Sequence, residues 1–134
     1  GFNCLKPGGM IFSSFISRYG IWGDVLKKIP EAIKRQADVR SVLIEGKDVD
    51  KPPVGGFRGY FATVSEILPL HEKLGFKTLV LAGVEPCISA DDESYNKLEG
   101  NLRQSWFDLL FELSTEKSIL AASRHLLYIG QKPK

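Results

Sequence analysis

Residues 10–16 read MIFSSFI, a stretch without a single charge, and they directly follow Leu5-Lys6-Pro7-Gly8-Gly9. Proline presets one backbone angle and the two glycines permit positive φ, so the five residues before the run are a turn signal. An almost continuously apolar run rich in aromatic and β-branched residues predicts a strand covered on both faces, as in parallel sheets. Such a strand needs layers above and below it, and this requirement limits the fold more than any other feature of the chain. Two further strands are predicted at residues 76–84 (FKTLVLAGV) and 126–129 (LLYI), the second closed by Gly130 and Pro133.

Helical patterns lie between these strands. Asp24 is expected to cap a helix whose apolar positions are Val25, Leu26, Ile29 and Ile33, with Pro30 kinking it or starting a second one. Residues 38–59 are mixed in character, and residues 50–56 (DKPPVGG) read as loop. Thr63 and Glu66 have the spacing of a capping box, Val64, Ile67, Leu68 and Leu74 form a stripe, and Gly75 is a terminator; a bend is expected at Pro69. Asp91 or Asp92 opens a long helical region in which Tyr95, Leu98, Leu102, Trp106, Leu109, Leu110 and Leu113 recur every three or four residues, which predicts one buried face. Residues 115–123 read as a short further helix. Strand, helices, strand, helices, strand makes an α/β layered domain. The connection at residues 17–62 is too long for a tight crossover and is expected to be a cap or substrate segment.

Composition narrows the function classes. A length of 134 residues fits a single domain of about 150. With 43% hydrophobic and 25% charged residues the chain is neither disordered nor fibrous. Eighteen Lys+Arg against 16 Asp+Glu leave a net charge of +2, which gives no electrostatic case for nucleic acid. Lys27, Lys28, Lys34 and Arg35 read as the solvated side of an amphipathic helix. Cys4 and Cys87 could make one disulfide at most and read as free thiols of a reducing cytoplasm. His71 and His125 stand apart from any cysteine cluster, so no zinc ligand set is expected. No apolar run reaches the ~18 residues that span a bilayer. Met10 is the only methionine, which suggests a processed N-terminus or part of a longer protein.

Three segments together resemble the C-terminal half of a class I S-adenosylmethionine-dependent methyltransferase. Leu5-Lys6-Pro7-Gly8-Gly9 running into an apolar strand is similar to that family's "LKPGG" turn before its fifth strand. The helix from Thr63 ending in Leu74-Gly75-Phe76 is similar to its last large helix, closing with a "GF" turn into the sixth strand. Residues 123–132 (SRHLLYIGQK) look like its terminal strand. The resemblance implies an α/β fold that is the C-terminal part of a Rossmann-like seven-stranded sheet, strands five to seven with flanking helices. The expected organisation is a single partial domain, residues 1–134, divided into a strand-five region (1–16), a cap or substrate segment (17–62), and the last large helix, final strands and helical insertion (63–134).

It also implies the parent's activity, transfer of a methyl group from S-adenosylmethionine to a small-molecule acceptor. The family binds that cofactor through its first half, with a Gly-rich loop after strand one and an acidic residue after strand two. This chain has no GxGxG, so no cofactor-binding residue is assigned in it. The segment after strand five lies over the acceptor in the family, and the residues carried over are Arg18, Tyr19, Trp22, Arg58 and Tyr60, with Phe57 and Phe61 beside them. Each has a plainer reading: the aromatics as packing, the arginines as surface or paired charges. His125 is a candidate base or a partly buried residue bonded to the backbone, and His71 is expected to face solvent. Asp91, Asp92 and Glu93 are explained by the helix dipole. No catalytic residue is assigned. The alternative function is a non-enzymatic α/β interaction module. No nucleic-acid or membrane partner is expected, whereas the uncharged edge at residues 9–17, deprived of a strand-four neighbour, predicts a homo-oligomer.

Overall fold

The computed structural model describes residues 2–47, 59–89 and 91–134. Among these residues it is an α/β protein built on a four-stranded mixed sheet with five α-helices. The strands are β1 (Met10–Ser17), β2 (Phe61–Ala62), β3 (Lys77–Gly83) and β4 (His125–Gln131), and their order across the sheet is β2-β1-β4-β3. β4, last in the sequence, lies between β1 and β3 and runs antiparallel to both, while β2 pairs parallel to β1. The helices are α1 (Ile21–Lys28), α2 (Gln36–Glu45), α3 (Val64–Lys73), α4 (Asp92–Asn96) and α5 (Gly100–Leu113).

The turn before β1 forms as its residues dictate. Gly8 takes φ 78°, the Gly9 amide donates to the Lys6 carbonyl at 2.9 Å, and the Lys132 amide donates to the Gly9 carbonyl at 2.8 Å, which anchors the turn to the end of β4. α3 begins with the expected capping box: the Glu66 carboxylate accepts from the Thr63 amide at 2.8 Å. It ends where Gly75 adopts φ 90°, a conformation that costs glycine nothing. Pro69 sits inside the helix.

One face of the sheet packs against α3. Leu126 and Tyr128 of β4 are fully buried there with Ile67, Ala62 and Leu120, and Ile11, Phe15, Val64, Leu68 and Leu81 surround them. Burying each large apolar side chain contributes about 1.5–3 kcal/mol, so this small cluster carries much of the stability. His71 belongs to this core and does not face solvent. It is 4% exposed, stacks on Tyr128 at 3.6 Å, and uses both ring nitrogens, Nδ1 with the Ile67 carbonyl at 2.8 Å and Nε2 with the Ser13 hydroxyl at 3.0 Å. A carbonyl can only accept, so Nδ1 donates to Ile67.

The other face is incompletely covered, and here the sequence expectations are corrected. β1 is not buried on both faces: its side chains alternate, and Met10, Phe12 and Ser14 are exposed. Phe12 is 63% exposed. The long helix expected after residue 91 is two helices, α4 capped by Asp91 and α5, whose first residue, Gly100, has φ 53°. The apolar stripe does not form one buried face, because only Leu110 of α5 is buried and Leu102, Trp106 and Leu109 are exposed. Hydrophobic periodicity records an apolar side of a helix but not whether anything lies against it.

Three further differences concern the connection from β1 to β2. Asp24 is not a cap: Gly20 stands at the N-cap and Asp24 lies in the first turn of α1. Pro30 starts a separate 3-10 turn (Pro30–Lys34), and Leu26, Ile29 and Ile33 are exposed. α2 forms from Gln36 into residues whose sequence is mixed in character and carries no helical stripe. Loop residues 50–56 lie outside the described residues. The edge at residues 9–17 is not open throughout, because β2 pairs with β1 at Ile16 and Ser17 and takes up its last two positions.

Candidate functional site

β1 and β3 run in the same direction and β4 in the opposite one, so the C-terminal ends of β1 and β3 and the start of β4 share one rim of the sheet. Ile16 pairs with His125, and Gly83 pairs with Leu126. The Val84 amide donates to the His125 carbonyl at 2.9 Å. The chain therefore delivers Glu85, two residues after β3, beside Arg124 and His125 at the opening of β4.

Glu85 grips His125 twice. Oε1 lies 2.6 Å from His125 Nδ1, and Oε2 accepts from the His125 amide at 3.0 Å. The His125 side chain is 39% exposed. Beside this pair, Arg124 joins three elements. Its Nη1 donates to Asp24 of α1 at 2.7 Å, and its Nη2 reaches Glu85 and Asp92 of α4, each at 3.4 Å. The Arg124 amide donates to the Ser89 hydroxyl at 2.9 Å, and that hydroxyl donates to the Glu85 carbonyl at 2.7 Å. Lys28 and Lys27 complete the network on Asp24 and on Asp92 and Glu93.

The electrostatics of the cluster follow from these contacts. Partial burial pushes the Asp24 carboxyl up, but hydrogen bonds from Lys28 and Arg124 together with their charges outweigh it and hold the group below the usual carboxylate range. The hydrogen bond to Asp24 raises Arg124 above its ordinary value. Asp92 is lowered, first by its hydrogen bond to Lys27. Next to the cluster, between the uncovered face of the sheet and helices α4 and α5, lies a cleft of about 510 Å³ lined by Glu85 and Arg124 and by apolar residues including Val84, Tyr95, Phe107 and Leu127.

The residues carried over from the resemblance are distributed differently. Arg18 and Tyr60 are brought together, but away from this cleft. Arg18 is 5% exposed; its Nε donates to the Phe61 carbonyl at 3.0 Å, and its Nη2 meets both Glu66 oxygens at 2.9 and 3.0 Å and the Tyr60 hydroxyl at 3.2 Å. The guanidinium ties the end of β1 to β2 and to the start of α3. The Glu66 carboxyl is pushed up by partial burial but is held below its usual range by the Thr63 amide, the Tyr60 hydroxyl and Arg18. Tyr19 is exposed and lines a hollow with Gly20, Gly23, Cys87 and Ser89. Trp22 lies on α1, its Nε1 buried without a partner among the described residues. Phe57 and Arg58 lie outside the described residues.

Glu85 was not singled out in the sequence. Sequence alone marks Asp24 as a cap and Asp92 as a response to the helix dipole. The available signal was positional: charged residues directly after one strand and directly before another. Pairing between β3 and β4 is what turns that signal into a cluster.

Among the described residues there is no group of histidine, cysteine and carboxylate side chains that could hold a metal ion. Cys4 and Cys87 are exposed free thiols. No described helix is long and apolar enough to cross a membrane. Neither the protein-family models nor the curated proteins contain a match to this chain.

Proposed function

We propose that this chain is the acceptor-side half of a cytoplasmic S-adenosylmethionine-dependent methyltransferase acting on a small molecule, and that its sheet is the strand-five-to-seven part of a larger Rossmann-like one. The observation that carries the reading is the convergence of three separate sequence segments. The turn-and-strand at 5–17, the helix-and-strand at 63–83 and the terminal strand at 125–131 make three adjacent strands and the helix that covers them. Their shared rim holds a charged cluster and a cleft large enough for a small molecule, where ligands bind in open α/β sheets.

The residues present do not fit the cofactor. Its adenosine and methionine parts call for a glycine turn that leads from a strand straight into a helix, with an acidic partner for the ribose. Here the Gly8-Gly9 turn precedes a strand, and Gly83 leads into a loop. The reading therefore assigns the cofactor to residues outside this chain and gives this chain the work of holding the acceptor. S-adenosylhomocysteine should raise the melting temperature of the product of the complete reading frame and leave that of the 134-residue chain unchanged. No rise for the complete product at saturating ligand sinks the reading.

A second reading, an interaction module that self-associates, is favoured by the edge of β1. Beyond its two positions paired with β2, this edge has no strand neighbour among the described residues, and β1 carries no charge or proline that would block pairing with another chain. Light scattering should find a dimer or larger species for the 134-residue chain, and Ser14→Lys should return it to monomer. A strictly monomeric native chain at high concentration excludes this reading.

A further inference from the structure

We infer that the cleft beside the rim cluster binds a small organic ammonium ion with an apolar body, and that Asp92 is the partner of its charge. The choice of Asp92 comes from comparing the three carboxylates that touch Arg124. Asp24 is closed by Arg124 at 2.7 Å and Lys28 at 2.8 Å, and it stands outside the cleft lining. Glu85 lines the cleft but is held by His125 Nδ1 at 2.6 Å and by the His125 amide at 3.0 Å. Asp92 also lines the cleft, and its contacts with Lys27 and Arg124 are both 3.4 Å. Hydrogen bonds between ionised groups close to about 2.7–2.9 Å, so Asp92 has the loosest partners of the three. Its side chain is also the most open, 34% exposed against 13% for Asp24 and 16% for Glu85.

The surroundings favour a cation over an anion. Arg124 lines the cleft, but its closest contact is with Asp24, which already meets its charge. An entering anion would also face Glu85 and Asp92. Lys27, which touches Asp92, is shared with Glu93 at 3.2 Å and is one-third exposed. An exposed pair of this kind contributes little, so a ligand ammonium can take the place of Lys27 at small cost. The remaining walls include Tyr95, Phe107, Leu110 and Leu127. Aromatic faces attract cations as well as apolar bodies, and the Tyr95 ring already carries one, the Arg103 guanidinium 5.5 Å from its centroid. A cleft of about 510 Å³ with apolar walls and one loosely held carboxylate suits a ring or short aliphatic chain that ends in an ammonium group.

Identifying this ligand as the methyl acceptor rests on the function proposed above, but the site can be tested without any methyl donor. In amide chemical-shift mapping of the 134-residue chain at pH 7, phenethylammonium should move Asp92, Tyr95, Phe107 and Leu127 saturably and leave residues 6–9 and 130–132 in place. Phenylacetate, with a similar body and the opposite charge, should bind at least about tenfold more weakly. Asp92→Asn should weaken phenethylammonium about tenfold, the worth of one contact between charges, and leave the affinity for uncharged phenethyl alcohol unchanged. No saturable binding of phenethylammonium overturns the proposal, as does an equal affinity for phenylacetate, an affinity unaltered by Asp92→Asn, or shifts centred on the opposite rim. The comparison of ligands uses the native protein and stands whether or not the variant folds. Phenethylammonium binding by this chain and S-adenosylhomocysteine binding by the complete product are separate readings, so either can fail alone.

Discussion

Replacing Arg124 by methionine removes a side chain that links α1, the loop after β3 and α4. Methionine keeps most of the stem's volume, so the change isolates the guanidinium. In the native protein Arg124 and Asp24 are both 13% exposed and 2.7 Å apart. Breaking a fully buried pair costs about 3–5 kcal/mol, because one charge is left stranded. Here Lys28 remains 2.8 Å from Asp24, and the cluster sits at the rim, so the expected loss is about 2–3 kcal/mol. For a domain of this size that lowers the melting temperature by roughly 10 °C.

The pH dependence gives the sharper test. Asp24 is depressed in the folded state, so its contribution is present above the unfolded carboxylate value near 3.8 and is lost as pH falls through the lower folded value. The difference between native protein and Arg124→Met should therefore be full at pH 7 and shrink below pH 4. Urea melts of both proteins at pH 7 and pH 3 measure it. A gap below about 1 kcal/mol at neutral pH, or one of the same size at both pH values, refutes the account of the cluster.

Glu66→Gln should cost about 1–2 kcal/mol in denaturant melts, since Gln keeps an acceptor for the Thr63 amide but removes the charge opposite Arg18. The native advantage should fade as acid protonates Glu66, whose carboxyl is depressed in the fold and loses its contribution below the ordinary value of 4.5. Gly20→Ala should abolish cooperative melting, because a Cβ there would come within 2.0 Å of the Ser123 carbonyl oxygen, whereas Gly100→Ala meets nothing within 4 Å and should cost only about 1 kcal/mol, for its left-handed backbone. Leu126→Ala, fully buried in β4, should cost about 2–5 kcal/mol in the same assay.

β1, β3, β4 and α3 were legible because their signals are local, whereas the two-residue β2 carries no such signal. A proline-glycine turn, an uncharged run and the pair Thr63 and Glu66 three residues apart each act within one element. The burial of His71 was not legible, since it depends on Ser13 of β1 and Tyr128 of β4 meeting it on α3. α5 misled for the opposite reason: its leucines repeat at helical spacing, yet only Leu110 finds a neighbour that buries it. The candidate site was the least visible, because Glu85 and His125 are 40 residues apart in the chain and only the β3–β4 register brings them to 2.6 Å.

The central proposal is that the rim formed by the ends of β1 and β3 and the start of β4 holds the acceptor of a methyltransferase, next to the cofactor that the rest of the parent protein binds. Amide chemical-shift mapping of the complete reading frame's product with S-adenosylhomocysteine tests this most directly. The account predicts shifts at Ser17, Glu85, Arg124 and His125 and none at residues 6–9 and 130–132, on the opposite rim. Shifts confined to that opposite rim, or none anywhere in these 134 residues, would contradict it.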